Sequence, residues 1–217
     1  MSAARVGVLG GTFDPIHEGH LAAGRAAMAA LTLERVVVIP SHAPPHRTDS
    51  PRASGYHRLQ MARLGVADLP GWTTSNLELE RGGLSFTFET LTDLRALEPA
   101  SQFFFITGAD AFAEVASWRR YPEVLELAHF VVIARPGTPL DTVRARLPGL
   151  AARFVDCPAA GPSACPQADF PSIFLLQAAT PNVSSTEIRQ RVASGEPLNG
   201  LVPDRVRRYI REHHLYV

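Results

Sequence analysis

Two histidines three residues apart follow a glycine pair near the start of the chain. They belong to the stretch GGTFDPIHEGH, residues 10–20 (the histidine loop), which comes directly after the apolar run 6–9. Gly10 and Gly11 leave the main chain open to a phosphate, and Thr12 adds a hydroxyl donor. His17 and His20 fall on one face at the start of the next helix, where main-chain amides favour an anion. The spacing therefore predicts a phosphate site.

Roles other than phosphate binding stay open for the two histidines. A single histidine is more often a surface residue or a hydrogen-bonded core residue, and only the pair after a Gly-Gly turn favours a site. Metal ligation is a further alternative, but the pair supplies at most two ligands and no HExxH motif follows. The glycine spacing is not GxGxxG, which argues against a hydride-transfer enzyme with a dinucleotide fold.

A second candidate group follows the apolar run 35–40. There Pro44 and Pro45 stiffen a loop that presents the imidazole of His46 and the guanidinium of Arg47. An arginine recognises phosphate oxygens in a fork, although a solvated loop also explains this tetrapeptide when it is taken alone.

A third group lies near the end of the chain, in NVSSTEIR, residues 182–189. Ser184 and Glu187 have the spacing of a capping box, so a helix is predicted to start there. Helix stability alone explains that box. Ser185, Thr186 and Arg189 would add hydroxyls and a cation to the helix start, which suits a polyphosphate.

Composition limits the classes of function. The chain has 217 residues, 46% of them hydrophobic, which predicts one domain over residues 1–217 with a helical part from about 184 to 217. The 21 basic and 21 acidic residues cancel, so neither a nucleic acid nor a membrane surface is indicated as a partner. Every basic residue is arginine, which excludes Schiff-base chemistry and a P-loop lysine.

Targeting signals and cysteines add two expectations. No export segment or membrane-spanning run is recognisable, so a cytoplasmic location is predicted. Cys157 and Cys165 have no histidine pair nearby, which argues against zinc, and the redox-compartment rule favours free thiols over a disulfide.

The elements that must position these groups alternate along the chain. Apolar runs predict strands, and longer amphipathic stretches between them predict helices. The strands are expected at 6–9, 35–40, 72–79, 103–107, 130–134 and 172–177, and the helices at 21–31, 56–67, 87–97, 111–117, 122–127 and 140–147. Residues 157–171 are expected to be irregular because they are rich in proline. This order predicts an α/β fold, a Rossmann-like open, mostly parallel sheet with helices on both faces, whose ligands bind at the carboxyl ends of the strands.

The motifs resemble those of a known family. GTFDPIHEGH resembles the (T/H)xGH signature of the nucleotidyltransferase superfamily, and VSSTEIR resembles its second phosphate-binding motif. Within the superfamily the chain resembles bacterial nicotinate-mononucleotide adenylyltransferases in PPHR, SFTFETL (85–91), ITGADAF (106–112), SWRRYPEVLELAHFVVIARPG (117–137) and LVPDRVRRYI (201–210). The resemblance covers nearly the whole chain, apart from roughly 138–170.

The resemblance implies transfer of AMP from ATP to nicotinate mononucleotide, which gives deamido-NAD and pyrophosphate in NAD biosynthesis. It implies Mg²⁺ as a cofactor that arrives with ATP and no metal site of the protein's own. The implied catalytic residues are His17, His20 and Arg47. The implied ATP-binding residues are Gly10, Gly11, Thr12, Phe13, His17, His20, Gly108, Asp110, Ser184, Ser185, Thr186 and Arg189. The implied residues for nicotinate mononucleotide are His46, Arg47, Ser85, Phe86, Thr87, Trp118 and Arg135.

The chain departs from the family's pattern in the acceptor loop. Phe86 stands where the family commonly has tyrosine, and Leu84 replaces a frequent proline, so a preference for the nicotinamide form of the acceptor stays an alternative. An adenylyltransferase for phosphopantetheine or a cytidylyltransferase would share the histidines but tends to lack SFTFETL and SWRRYP. A non-catalytic nucleotide sensor would be expected to lose part of the histidine and arginine set. The sequence leaves the oligomeric state open, with a homo-oligomer among the alternatives.

Overall fold

A seven-stranded sheet carries the fold in the computed structural model, which describes residues 3–45, 50–134, 139–158, 165 and 171–217. The strands are β1 (Arg5–Gly11), β2 (Arg35–Pro40), β3 (Trp72–Thr74), β4 (Gln102–Gly108), β5 (His129–Ile133), β6 (Phe154–Cys157) and β7 (Ile173–Leu176). The helices are α1 (Glu18–Leu31), α2 (Gly55–Val66), α3 (Leu77–Arg81), α4 (Thr87–Leu97), α5 (Ala109–Phe112), α6 (Leu140–Arg146), α7 (Ser185–Ala193) and α8 (Asp204–Glu212).

The strand order in the sheet is β3-β2-β1-β4-β5-β7-β6. β1 pairs with β4 in parallel from Arg5↔Gln102 to Leu9↔Ile106, and β5 lies parallel to both β4 and β7. The order reverses at β1, as it does in doubly wound α/β proteins. The predicted Rossmann-like fold is confirmed.

The chain divides into two compact units. The first consists of Met1–Leu9, Ala23–Val36 and Phe86–Thr180, and Phe104, Phe112, Phe130 and Phe174 are fully buried in it. The second consists of Gly10–Ala22, Val37–Ser85 and Pro181–Val217, and its core includes Phe13, Ile16, Ile39 and Met61. Among the described residues, no helix is long and apolar enough to cross a membrane.

Three element predictions were wrong in detail. The strand expected at 72–79 ends at Thr74, and α3 (Leu77–Arg81) follows it, because leucine and glutamate favour a helix although they alternate here. The helices expected at 111–117 and 122–127 are short: α5 ends at Phe112, and 3-10 turns occupy Val115–Ser117 and Glu123–Glu126.

The preference for free thiols was also wrong. Cys157 and Cys165 form a disulfide with a Cα–Cα distance of 4.8 Å. The redox-compartment rule concerns the surroundings of a protein and does not consider whether the fold places two cysteines within bonding distance, as it does here. Cys157 ends β6, a strand that was not predicted and that pairs in parallel with β7. Residues 159–164 and 166–170 of the expected irregular segment lie outside the described residues.

Candidate active site

The histidine loop starts at the end of β1, within the second unit. Gly10 and Gly11 are the last two residues of this strand, as predicted, and the Ser41 amide donates to the Gly11 carbonyl over 2.8 Å. Phe13 is buried with φ +50°, and its ring folds back toward Gly11. A Cβ at Gly11 would lie 3.1 Å from that ring, so the small residue is needed for close packing rather than only for an open main chain.

The two histidines lie together at the start of α1. Their rings stack with centroids 3.6 Å apart, and the Phe13 ring meets His20 edge-on at 4.9 Å. The His17 amide donates to Nδ1 of His20 over 3.3 Å. An Nδ1 that accepts leaves the proton of the neutral ring on Nε2, so His20 offers an Nε2–H donor. Two parallel imidazoles at the N-terminus of a 14-residue helix form an arrangement suited to phosphate oxygens.

Gly19 is a residue of this site that the sequence reasoning missed. A Cβ at this position would lie 3.0 Å from Nδ1 of His17 and 3.1 Å from Cε1. Any side chain here would therefore displace the first imidazole. The glycine between the two histidines, in the signature (T/H)xGH, was a signal that could have suggested a steric role.

The middle of the histidine loop is fixed by Asp14. Its buried carboxylate accepts from the amides of Arg52 (2.7 Å) and Ala53 (3.0 Å) and from the Tyr216 hydroxyl (2.8 Å). Burial raises the pKa of Tyr216, and the adjacent Asp14 raises it further, so the phenol stays protonated as a donor. Nothing in the sequence pattern pointed to Tyr216.

The first turn of α7 contacts the same segment. Ser185 Oγ donates to the Pro15 carbonyl over 2.9 Å, and the Arg189 guanidinium donates to the Asp14 carbonyl over 2.8 Å. The two motifs recognised in the sequence, residues 10–20 and 182–189, are thus joined by direct hydrogen bonds. Ser185 and Arg189 position the histidine loop, whatever contacts they also make with a ligand.

The predicted helix start at Ser184 is confirmed. Ser184 Oγ accepts from the Glu187 amide over 3.1 Å, while the Glu187 carboxylate accepts from Arg191 one turn further on. Thr186 Oγ1 accepts from Arg189 over 3.1 Å.

A buried arginine joins three loops of the second unit, and sequence reasoning missed it. Arg58 lies on α2 and is only 2% exposed. Its guanidinium donates to the carbonyls of Ser41 (2.6 Å), Thr12 (2.8 Å), Ala53 (3.2 Å) and His42 (3.3 Å). Burial lowers the pKa of Arg58, and Asp14 opposes that shift, but an arginine stays charged. Arg58 therefore positions the histidine loop at Thr12.

The acceptor residues predicted in SFTFETL lie at the start of α4. Phe86 is the cap residue, Thr87 is the first helical residue, and the cap side chain makes no hydrogen bond to the helix. The cap side chain therefore accepts no hydrogen bond from the first amides of this 11-residue helix, and these amides could donate to a bound carboxylate instead. The Arg119 guanidinium lies 4.8 Å above the Phe86 ring and pairs with Glu89 over 2.6 Å. Ser85, in the second unit, accepts from the His42 amide over 2.8 Å.

Trp118 lies in the first unit and is half-buried. Its ring is 6.1 Å from Phe105 and 6.3 Å from both Phe112 and Phe130. An indole that is supported by other rings but still partly open can stack on a planar ligand.

The remaining predicted residues are spread over the chain. Gly108 ends β4 and caps α5, and Asp110 is exposed in the first turn of that helix. His46, Arg47 and Arg135 lie outside the described residues. Within the described part of the chain, no group of three or more His, Cys, Asp or Glu side chains could hold a metal ion.

Comparison with known proteins identifies the family. The cytidylyltransferase-like family model matches residues 8–191. The chain is 41% identical to a "Probable nicotinate-nucleotide adenylyltransferase" of a Roseiflexus species, over all of both chains. It is 39% identical to one of the same name from Citrifermentans bemidjiense, over 98% of each. A nicotinic acid mononucleotide adenylyltransferase of Plasmodium falciparum, complexed with NaAD, shares the fold with a TM-score of 0.71 at 18% identity, over 98% of this chain and 97% of the other. The chain therefore belongs to the cytidylyltransferase-like family and, within it, to the nicotinate-nucleotide adenylyltransferases.

Proposed function

We propose that this chain transfers AMP from ATP to nicotinate mononucleotide. A phosphate oxygen of nicotinate mononucleotide attacks the α-phosphorus of ATP, the bond from that phosphorus to the oxygen bridging to the β-phosphorus breaks, and pyrophosphate leaves. The products are deamido-NAD and pyrophosphate. The full-length relatives at 39–41% identity support this reaction, as do the motifs that the chain shares with them. We also propose that residues 1–217 act as one nucleotidyltransferase domain.

The stacked histidine pair carries the proposal. Phosphoryl transfer needs little covalent chemistry from a protein, and its catalysis rests on positioning and on stabilising negative charge. His20 offers an Nε2–H donor, and His17 lies 3.6 Å from it at the start of α1. Both rings would donate to oxygens of the triphosphate as charge develops at the α-phosphorus, and the helix N-terminus adds to that field.

The acceptor would bind through a carboxylate and a ring. The uncapped first amides of α4, near Thr87, would hold the nicotinate carboxylate, because a helix N-terminus attracts an anion. Trp118 would stack on the pyridine ring. Contact between the carboxylate and main-chain amides does not need the tyrosine hydroxyl that is missing at Phe86.

Mg²⁺ is the cofactor that fits this donor set. In phosphate-transfer sites Mg²⁺ keeps several waters and binds through substrate phosphates with one or two carboxylates, rather than through a cage of protein ligands. We propose that the ion arrives bound to ATP rather than in a site of the protein's own. The ion would neutralise phosphate charge, while the protein contributes the histidines, the helix N-terminus and Arg189.

The reaction is tested by measuring pyrophosphate release with Mg-ATP and three acceptors in parallel. These are nicotinate mononucleotide, nicotinamide mononucleotide and phosphopantetheine, and the product masses are checked. We expect the acid to exceed each rival at least tenfold in kcat/KM, which corresponds to about 1.4 kcal/mol. Equal reaction of the amide would contradict the roles given to Thr87 and Trp118, and no pyrophosphate with any acceptor would contradict the function.

The role of the histidines is tested by His20→Ala. The variant loses one donor to the charged transition state, so kcat should fall about 150-fold, which is about 3 kcal/mol. His214→Ala, an exposed histidine near the end of the chain, is the matched control and should leave kcat unchanged. Unchanged turnover of His20→Ala would exclude it as a catalytic residue.

A further inference from the structure

A cavity of about 540 Å³ lies beside α7 in the second unit. Arg52, Thr186, Arg189 and Tyr216 line it. Two of the described lining residues, Arg52 and Arg189, carry a guanidinium, and none of the described lining residues is an Asp or a Glu. The side chains of the cavity are therefore positively charged and rich in hydrogen-bond donors.

Most of these polar groups already make hydrogen bonds within the protein. The Arg189 guanidinium donates to the Asp14 carbonyl and to Thr186 Oγ1, and the Tyr216 hydroxyl donates to the Asp14 carboxylate. Because Thr186 Oγ1 accepts from Arg189, its own hydroxyl hydrogen is left to donate elsewhere.

Arg52 differs from Arg189 in this respect. Its main-chain amide donates to Asp14 over 2.7 Å, which fixes the position from which the side chain extends. Its exposed guanidinium makes no hydrogen bond or ion pair within the described part of the chain. The cavity is thus lined by an arginine with an anchored main chain and an uncommitted guanidinium, and also by the Thr186 hydroxyl.

We propose that Arg52 binds the β- and γ-phosphates of ATP, and the pyrophosphate released from it, in this cavity. A guanidinium presents paired N–H donors that match phosphate oxygens, and an acceptor-rich polyanion satisfies both Arg52 and Thr186. Arg189 lines the cavity and also donates to the Asp14 carbonyl of the histidine loop, so one residue is shared by the cavity and by the loop that carries the histidines. This inference rests on the proposed adenylyl transfer and adds a triphosphate-binding residue to it.

The test compares wild type, Arg52→Gln and Arg63→Gln. Arg63 is also an exposed arginine of the second unit, on α2, but it does not line the cavity. We expect Arg52→Gln to raise the KM for ATP about tenfold, and the inhibition constant of inorganic pyrophosphate by a similar factor, because one charge-assisted hydrogen bond is lost. The KM for nicotinate mononucleotide should change less than twofold. Arg52→Lys should recover part of the loss, since it restores the charge but not the fork.

Calorimetric titration of inorganic pyrophosphate into the same proteins separates this inference from the proposed function. Weaker binding to Arg52→Gln, with wild-type binding to Arg63→Gln, supports the cavity even if no acceptor reacts. If wild type turns over and Arg52→Gln matches Arg63→Gln in ATP KM and in pyrophosphate affinity, the assignment of Arg52 is wrong although the function stands. An equal loss of pyrophosphate affinity in Arg52→Gln and Arg63→Gln would show a general charge effect and would also overturn the assignment of Arg52.

Discussion

Gly19→Ala tests whether the position of the His17 ring affects turnover. The new methyl group would lie 3.0 Å from Nδ1 of His17, whereas ordinary contacts begin near 3.4 Å, so the ring must retreat about 0.4 Å. The Pro181 carbonyl would also be at van der Waals distance, 3.4 Å from the new methyl group. His17 stacks on His20 at 3.6 Å, so a shift of one ring disturbs the other.

The size of the effect follows from that displacement. A misplacement of about 1 Å in a reacting group can cost about a hundredfold in rate, so 0.4 Å corresponds to roughly sixfold. Two effects on stability oppose each other, because the close contact is destabilising whereas alanine is favoured over glycine in a helix by up to about 1 kcal/mol. The variant should therefore lose turnover and remain folded at the assay temperature.

The assay is kcat for pyrophosphate release at saturating ATP and nicotinate mononucleotide, with thermal unfolding of the same samples. Gly149→Ala is the matched control, since a Cβ there meets no atom within 4 Å. A kcat of Gly19→Ala within twofold of wild type would refute the link between ring position and rate. A variant that is partly unfolded at the assay temperature would give no information on ring position, so kcat is compared only where both proteins are fully folded.

Two further changes concern buried polar groups outside the reacting centre. Burial, with smaller contributions from Arg5 and Arg153, lowers the pKa of His129 to about 4, so it is neutral when folded, and it takes up a proton on unfolding below its ordinary value of 6.5. The contribution of the neutral His129 to the free energy of unfolding is complete above pH 6.5 and is lost as the pH falls through 4. Urea unfolding should therefore show that wild type loses about 3 kcal/mol more stability than His129→Gln between pH 7 and pH 4. Equal losses of stability in the two proteins would contradict the shift. Arg58→Met should lower the unfolding free energy by about 3 kcal/mol, because four carbonyls lose their donor. Arg58→Lys should recover only part of it, and full recovery would mean that one of the four bonds carries the effect.

Much of the fold could be predicted because its signals are local. The β-branched run at 35–40 is β2 as predicted, and the helix expected at 87–97 is α4 with the same bounds. The cap at Ser184 also follows from residues three apart. Where two local signals competed, as in residues 77–81, alternation suggested a strand and intrinsic propensity gave a helix.

The positioning residues could not be predicted in the same way, because their partners lie far along the chain. Arg58 and Arg63 are both arginines of α2, yet Arg58 is buried among carbonyls and Arg63 is exposed. No local pattern separates them. Tyr216 is likewise 202 residues from Asp14, and its role becomes visible only through the hydrogen bond between them.

The contacts of Asp14 change how the two sequence motifs are understood. Taken as motifs, the histidine loop and the start of α7 are two independent sets of phosphate ligands. In the structure, Ser185 and Arg189 donate to the carbonyls of Pro15 and Asp14, so α7 also determines where the loop that carries His17 and His20 lies. A substitution of Ser185 or Arg189 is therefore expected to disturb the position of the histidines as well as to remove a proposed phosphate ligand. Its effect on rate cannot be divided between binding and positioning unless the loop is perturbed separately, as Gly19→Ala does from within the loop.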